Sequence, residues 1–128
     1  MIIGIGVDIV DISSFTDSII KSKRFQQRIF SENEIAYCES NPNKYQHYAA
    51  RFAAKEAVMK AIGTGWNNGV YFNQIEVKNN ENGEPIITCI GKVLEILNSN
   101  NVNRLHLSLS HSEIQAIAFV ILEVNLKI

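Results

Sequence analysis

The alanine-rich stretch at residues 45–62, which ends on Gly63, constrains this chain more than any other part of it. Alanine gives up least on entering a helix, and glycine supplies the left-handed residue on which helices stop. One long helix is therefore predicted there. Read at about 100° per residue, Ala49, Phe52, Ala53, Glu56, Met59 and Lys60 share one arc and should face the core. Glu56 and Lys60 are unexpected on such an arc. Four residues apart, they can simply support a solvated helix, by about 0.2–0.5 kcal/mol, or they can belong to a site. The apolar flanks favour the site.

Shorter elements surround this helix. Residues 2–10, rich in Ile and Val, read as a strand with Ile3, Ile5, Val7 and Ile9 on one face and Gly4, Gly6 and Asp8 on the other. Residues 13–22 read as a short helix opened by Ser13 or Ser14. Ser31-Glu32-Asn33-Glu34 is a capping box, so a helix should run from Ser31 to about Glu39, where Asn41-Pro42-Asn43 breaks the pattern. Residues 71–78 and 86–90 read as strands around a polar loop rich in turn residues. Gly91–Ser99 is predicted as a helix. Strands at 104–110, with Leu105, Leu107 and Leu109 buried, and at 114–123 should form a hairpin. Hairpins and an irregular element order predict an α+β fold with an antiparallel sheet and packed helices. The length suits one domain over residues 1–128.

Composition narrows the function. A formal net charge of -1 gives no bulk attraction to nucleic acid or membrane. An acidic partner would have to meet a local basic patch, and Lys21, Lys23, Arg24 and Arg28 form one. Cys38 and Cys89 lie far apart without metal-ligand spacing, as in a reduced cytosolic protein. The apolar run at 116–122 is far shorter than the roughly 20 residues that span a bilayer. A soluble, cytoplasmic chain is expected.

Three places carry chemistry. Asp8 lies in an apolar strand, where a carboxylate is costly unless paired or bound to a cation, and Gly4 and Gly6 leave space on its face. The alternative is that Asp8 caps a local turn. Gly63-Thr64-Gly65 follows a helix, whereas glycine loops that cradle phosphate precede one, so a C-cap is the default reading. Ser108 and Ser110 share a strand face that delivers His111 at its end, a combination suited to a phosphate-binding rim or to structure alone. Two carboxylates, a lysine and a histidine together fit Mg2+ and a phosphate substrate.

The same segments resemble the holo-acyl-carrier-protein synthases of the phosphopantetheinyl transferase superfamily. The resemblance runs through Gly4-Ile5-Gly6-Val7-Asp8-Ile9, Phe30-Ser31-Glu32-Asn33-Glu34 and the helix from Arg51 through Lys55-Glu56-Ala57 to Lys60-Ala61. It continues in Gly63-Thr64-Gly65, Asn82-Gly83-Glu84-Pro85 and Leu107-Ser108-Leu109-Ser110-His111-Ser112. The pieces keep the family's order and similar spacing from residue 1 to about residue 122. What it implies is a single-domain phosphopantetheinyl transferase that assembles as a homotrimer with active sites at subunit interfaces. It would move 4'-phosphopantetheine from coenzyme A to a serine of acyl carrier protein, in support of fatty acid biosynthesis. By the same resemblance, Asp8 and Glu56 hold Mg2+ against the coenzyme A pyrophosphate and Lys60 neutralises phosphate charge. His111 and Arg51 contact the nucleotide phosphates. Gly63, Thr64, Gly65 and Pro85 line or border the coenzyme A cleft. Glu56, directly or through a water on the cation, is the candidate base. The chain departs from the family at Ser13, Ser14 and Asp17, where a basic residue is common early in the first helix.

Overall fold

The computed structural model describes residues 1–63 and 69–126. Alternating isoleucine and valine make Ile2–Asp11 the first strand (β1), which leads into α1 (Ile12–Lys21) and α2 (Lys23–Ile29). The Ser31 capping box opens α3 (Glu32–Glu39), and the alanine-rich stretch forms α4 (Lys44–Ile62). A hairpin of β2 (Ile75–Asn79) and β3 (Pro85–Cys89) follows. Then come α5 (Gly91–Ser99), β4 (Arg104–His111) and β5 (Gln115–Glu123). The fold is α+β, with an antiparallel sheet of order β1-β5-β4 and the separate antiparallel pair β2-β3.

α4 lies across one face of the larger sheet. Ala116, Ala118, Val120 and Leu122 of β5 alternate inward against buried Ala53, Ala57, Val58 and Met59. The approach is closest at β1. A methyl group built on Gly6 would stand 1.8 Å from the carbonyl oxygen of Ala57, and one on Gly4 would stand 2.5 Å from that of Ala61. The space beside Asp8 that the glycines imply is thus filled by helix backbone. On the far side of α4 an aromatic cluster joins the small helices. Phe15 stacks on Phe52 at 4.6 Å, Phe52 meets Phe72 at 5.2 Å, and Phe30 meets Tyr48 at 5.0 Å between ring centroids.

Four local expectations need correction. The first helix is capped by Asp11, whose carboxylate accepts from the Ser14 N–H at 2.9 Å, so neither Ser13 nor Ser14 opens it. A second helix, α2, begins where the Ser22 hydroxyl accepts from the Phe25 N–H at 3.1 Å. Residues 72–74 form a 3-10 turn where a strand was expected; the Lys55 ammonium holds the carbonyls of Phe72 and Ile75 at either end of it. Lys60 does not face the core, since its side chain is 55% exposed. Burial runs almost all round the middle of α4, from Tyr48 to Met59, and the helix leaves the core at its two ends.

Candidate active site

β1 carries Asp8 to the α4 face of the sheet, opposite the last two turns of the helix. The Lys60 ammonium donates to Asp8 Oδ1 at 2.9 Å and to the Val7 carbonyl at 3.1 Å. Asp8 is nearly covered, with 15% of its side chain exposed. Asp8, Glu56 and Lys60 line one cavity of about 550 Å3 together with Asp11, Ser14 and Phe52. Burial pushes the Glu56 carboxyl above its usual pKa, and the neighbouring Asp8 charge adds to the effect, against an opposing pull from Lys60. Three carboxylates, of Asp8, Asp11 and Glu56, line the cavity beside the one ammonium of Lys60, which pairs directly with Asp8. The cavity therefore has room and negative charge for a further cation.

A second polar group gathers towards the other end of α4. The Gln46 amide nitrogen lies 2.6 Å from His111 Nδ1 and also donates to the Ser112 carbonyl at 3.3 Å. The Gln46 nitrogen that donates to the Ser112 carbonyl is an N–H group, so His111 Nδ1 is placed to accept from it and Nε2 is left to donate outward. That Nε2–H is a donor for an incoming oxygen. Arg51, 3% exposed, stands over the Tyr37 ring at 4.1 Å and donates to Asn79 Oδ1 at 2.7 Å. Its Nε has no partner, and Arg51 joins no ion pair among the described residues. Burial lowers the pKa of the adjacent His47, and positive charge on Arg51, and on His111 when its ring is protonated, lowers it further. Arg51, His47 and His111 thus bring basic side chains to one corner, and Arg51 has no carboxylate partner among the described residues. Pro85 borders this corner, paired across the hairpin with Asn79.

Within one chain these two groups do not meet. Gln46 and Glu56 are ten residues apart on α4, about 15 Å, and Arg51 projects roughly 140° around the helix from Glu56. Gly63 serves as the left-handed C-cap, with φ of 78° and its N–H bonded to the Met59 carbonyl at 3.0 Å. Thr64 and Gly65 lie outside the described residues. Sequence reasoning missed Gln46, which orients His111, and Phe52, which walls the Asp8 cavity. Neither carries a signal beyond its place on the long helix.

Residues 4–120 match the 4'-phosphopantetheinyl transferase superfamily. The chain is 48% identical over 127 residues to a holo-[acyl-carrier-protein] synthase of Cytophaga hutchinsonii, a match covering 98% of this chain and 100% of that protein. Among solved structures, a holo-(acyl-carrier-protein) synthase of Bacillus anthracis in complex with CoA (3',5'-ADP) superposes with a TM-score of 0.81. It shares 37% identity, and the match covers 98% of this chain and 99% of that one. A holo-[acyl-carrier-protein] synthase of Neisseria meningitidis gives a TM-score of 0.86 at 34% identity, covering 96% of this chain and 99% of that one. Near-complete coverage at such identity leaves one conclusion: the chain belongs to the 4'-phosphopantetheinyl transferase superfamily.

Proposed function

We propose that this chain is a holo-acyl-carrier-protein synthase over its whole length, residues 1–128, with Mg2+ held by Asp8 and Glu56. It transfers 4'-phosphopantetheine from coenzyme A to a serine of apo-acyl carrier protein and releases 3',5'-ADP. The observation that carries this reading is the cavity in which Asp8, Glu56 and Lys60 meet. Mg2+ fits the donors present. Both are hard carboxylate oxygens, and no third metal-binding side chain joins them among the described residues. The other positions are left to phosphate oxygens and water, which is how Mg2+ is commonly held. Bound there, Mg2+ supplies positive charge against the diphosphate oxygens.

The residues divide the work. The carrier serine oxygen forms a bond to the phosphorus bearing the pantetheine arm, and the bond from that phosphorus to the bridging oxygen of the leaving 3',5'-ADP breaks. Glu56, directly or through a water, would take the serine proton, a role it owes to its reach. Lys60 turns from Asp8 to the phosphates and stabilises the charge that builds on their oxygens. Arg51 and the Nε2–H of His111 bind the nucleotide phosphates of coenzyme A, with Gly63, Thr64, Gly65 and Pro85 bordering the donor cleft. The basic patch of Lys21, Lys23, Arg24 and Arg28, all exposed, meets the acidic carrier.

We infer further that three copies assemble, each active site taking Asp8, Glu56 and Lys60 from one subunit and Arg51 and His111 from its neighbour. Two features support this. In one chain neither Arg51 nor His111 lines the cavity of Asp8, Glu56 and Lys60. The outer sheet face also exposes Ile5, Val7, Ile9, Ile117 and Phe119, with Val7 52% and Ile9 54% exposed. Two free thiols, Cys38 buried and Cys89 half-buried, and the absence, among the described residues, of a helix able to cross a membrane suit a cytoplasmic role in fatty acid biosynthesis. Incubation with apo-carrier, coenzyme A and Mg2+ followed by mass spectrometry should show the carrier gaining one phosphopantetheine, with EDTA abolishing the gain. A carrier of unchanged mass would overturn the reading.

A further inference from the structure

Lys55 and Glu34 form an ion pair at 2.8 Å with neither side chain exposed, and the reaction above uses neither. Glu34 Oε1 accepts from the Ser31 N–H at 3.0 Å, and Oε2 accepts from the Val77 N–H at 2.9 Å. Lys55 gives its remaining protons to the carbonyls of Phe72, at 3.1 Å, and Ile75. All three ammonium protons are thus directed at fixed acceptors. Desolvation offsets the attraction within such a pair, so it is weak evidence of stability, and apolar replacements of like volume are often neutral. Apolar residues would lack its directionality. The pair fastens the backbone of residues 72–77 to α3 and α4 at three points.

That segment forms one side of an apolar cavity of about 480 Å3, where Tyr71 and Phe72 stand with Phe25, Arg28 and Phe52. Phe52 belongs to this cavity and to the Asp8 cavity alike. Phe72 packs directly on it. Lys55 and Glu56 are consecutive on α4, so one anchors the segment behind the aromatic wall while the other faces the charged cleft. Arg28 belongs to the basic patch assigned above to the carrier.

We propose that Lys55 and Glu34 are positioning residues for the acceptor: their ion pair fixes the Tyr71 and Phe72 wall beside Arg28, and with it the pose in which the carrier presents its serine to the cleft. The proposal rests on the transferase reading. The test compares wild type with a Lys55→Met, Glu34→Gln double variant in the carrier-modification assay, varying coenzyme A and carrier separately. The expected result is an unchanged or higher Tm, a KM for coenzyme A within about twofold, and a KM for carrier raised at least about tenfold. An unchanged carrier KM overturns the proposal, as does a parallel loss in Tm and both KM values, which is what a merely structural pair would give. Should the double variant fail to fold, Tyr71→Ala, at a side chain of the same wall that is 58% exposed, should raise the carrier KM about threefold with coenzyme A unaffected, and no rise overturns it. A wild-type chain that leaves the carrier unmodified overturns the transferase reading and this proposal together. An active wild type beside an indifferent variant overturns this proposal only.

Discussion

Asp8 and Glu56 differ in how their charge is met. Asp8 has the Lys60 ammonium at 2.9 Å, whereas Glu56 is left with burial and a like charge beside it. Removing either carboxylate takes away one side of the proposed cation site, and electrostatic contacts of this kind are worth about 100-fold or more in rate. Asp8→Ala and Glu56→Ala should each lose at least about that factor in steady-state transfer while keeping a wild-type far-ultraviolet spectrum. Normal rates in both would remove the metal assignment. The two thiols, Cys38 buried and Cys89 half-buried, yield a prediction of a different kind. Burial pushes Cys38 from an ordinary 9.0 up to about 12 and Cys89 up to about 11. The folded chain therefore keeps protons that the unfolded chain loses above pH 9, so stability is full below that pH and falls as pH rises towards the folded values. The Tm should decline through this alkaline window, and Cys38→Ala should decline less steeply. Identical slopes would contradict the burial of Cys38.

At the scale of elements, the seam between β1 and α4 decides whether the carboxylates meet at all. Gly4 and Gly6 let the strand approach within backbone contact of Ala57 and Ala61. Gly6→Ala must push helix from strand, and overpacking of this kind typically costs about 1–3 kcal/mol or more. The variant should show a lowered Tm in thermal unfolding. Activity should fall further than the unfolded fraction explains, because Asp8 and Glu56 sit on opposite sides of the seam. A variant of normal Tm and rate would mean that the contact is not tight. The capping box at Ser31 shows how one element feeds another. Glu34 caps its own helix and also receives Lys55 and the Val77 N–H, so the signal that starts α3 places a carboxylate under β2.

For the whole molecule the exposed apolar face of the sheet is the controlling feature. Ile5, Val7 and Ile9 of β1 run beside Ile121, Phe119 and Ile117 of β5 in register. An exposed apolar stripe of this kind marks an interaction surface. Light scattering should report three times the mass of the 14.4 kDa chain. Val7→Lys should shift it to monomer with transfer lost, because each site would then lack its neighbour's Arg51 and His111. An active monomer would refute the shared site.

The sequence by itself determined most of the elements and which side chains were candidates for chemistry. The alanine run closed by Gly63, the Ser31 capping box and the alternating strands are local signals, set by backbone propensity and period. The resemblance added roles to Asp8, Glu56, Lys60 and His111. The burial of Lys55, the exposure of Lys60 and the 3-10 turn at residues 72–74 could not be read locally, because each depends on what packs against it. Helical period put Lys60 with the core residues, yet α4 runs past the edge of its covering elements there. Lys55, its neighbour one turn back, is enclosed by Glu34 and two carbonyls from distant parts of the chain. Only the tertiary structure decided which of these charges is walled in and which is left in the cleft, since desolvation is a property of the surroundings and not of the residue.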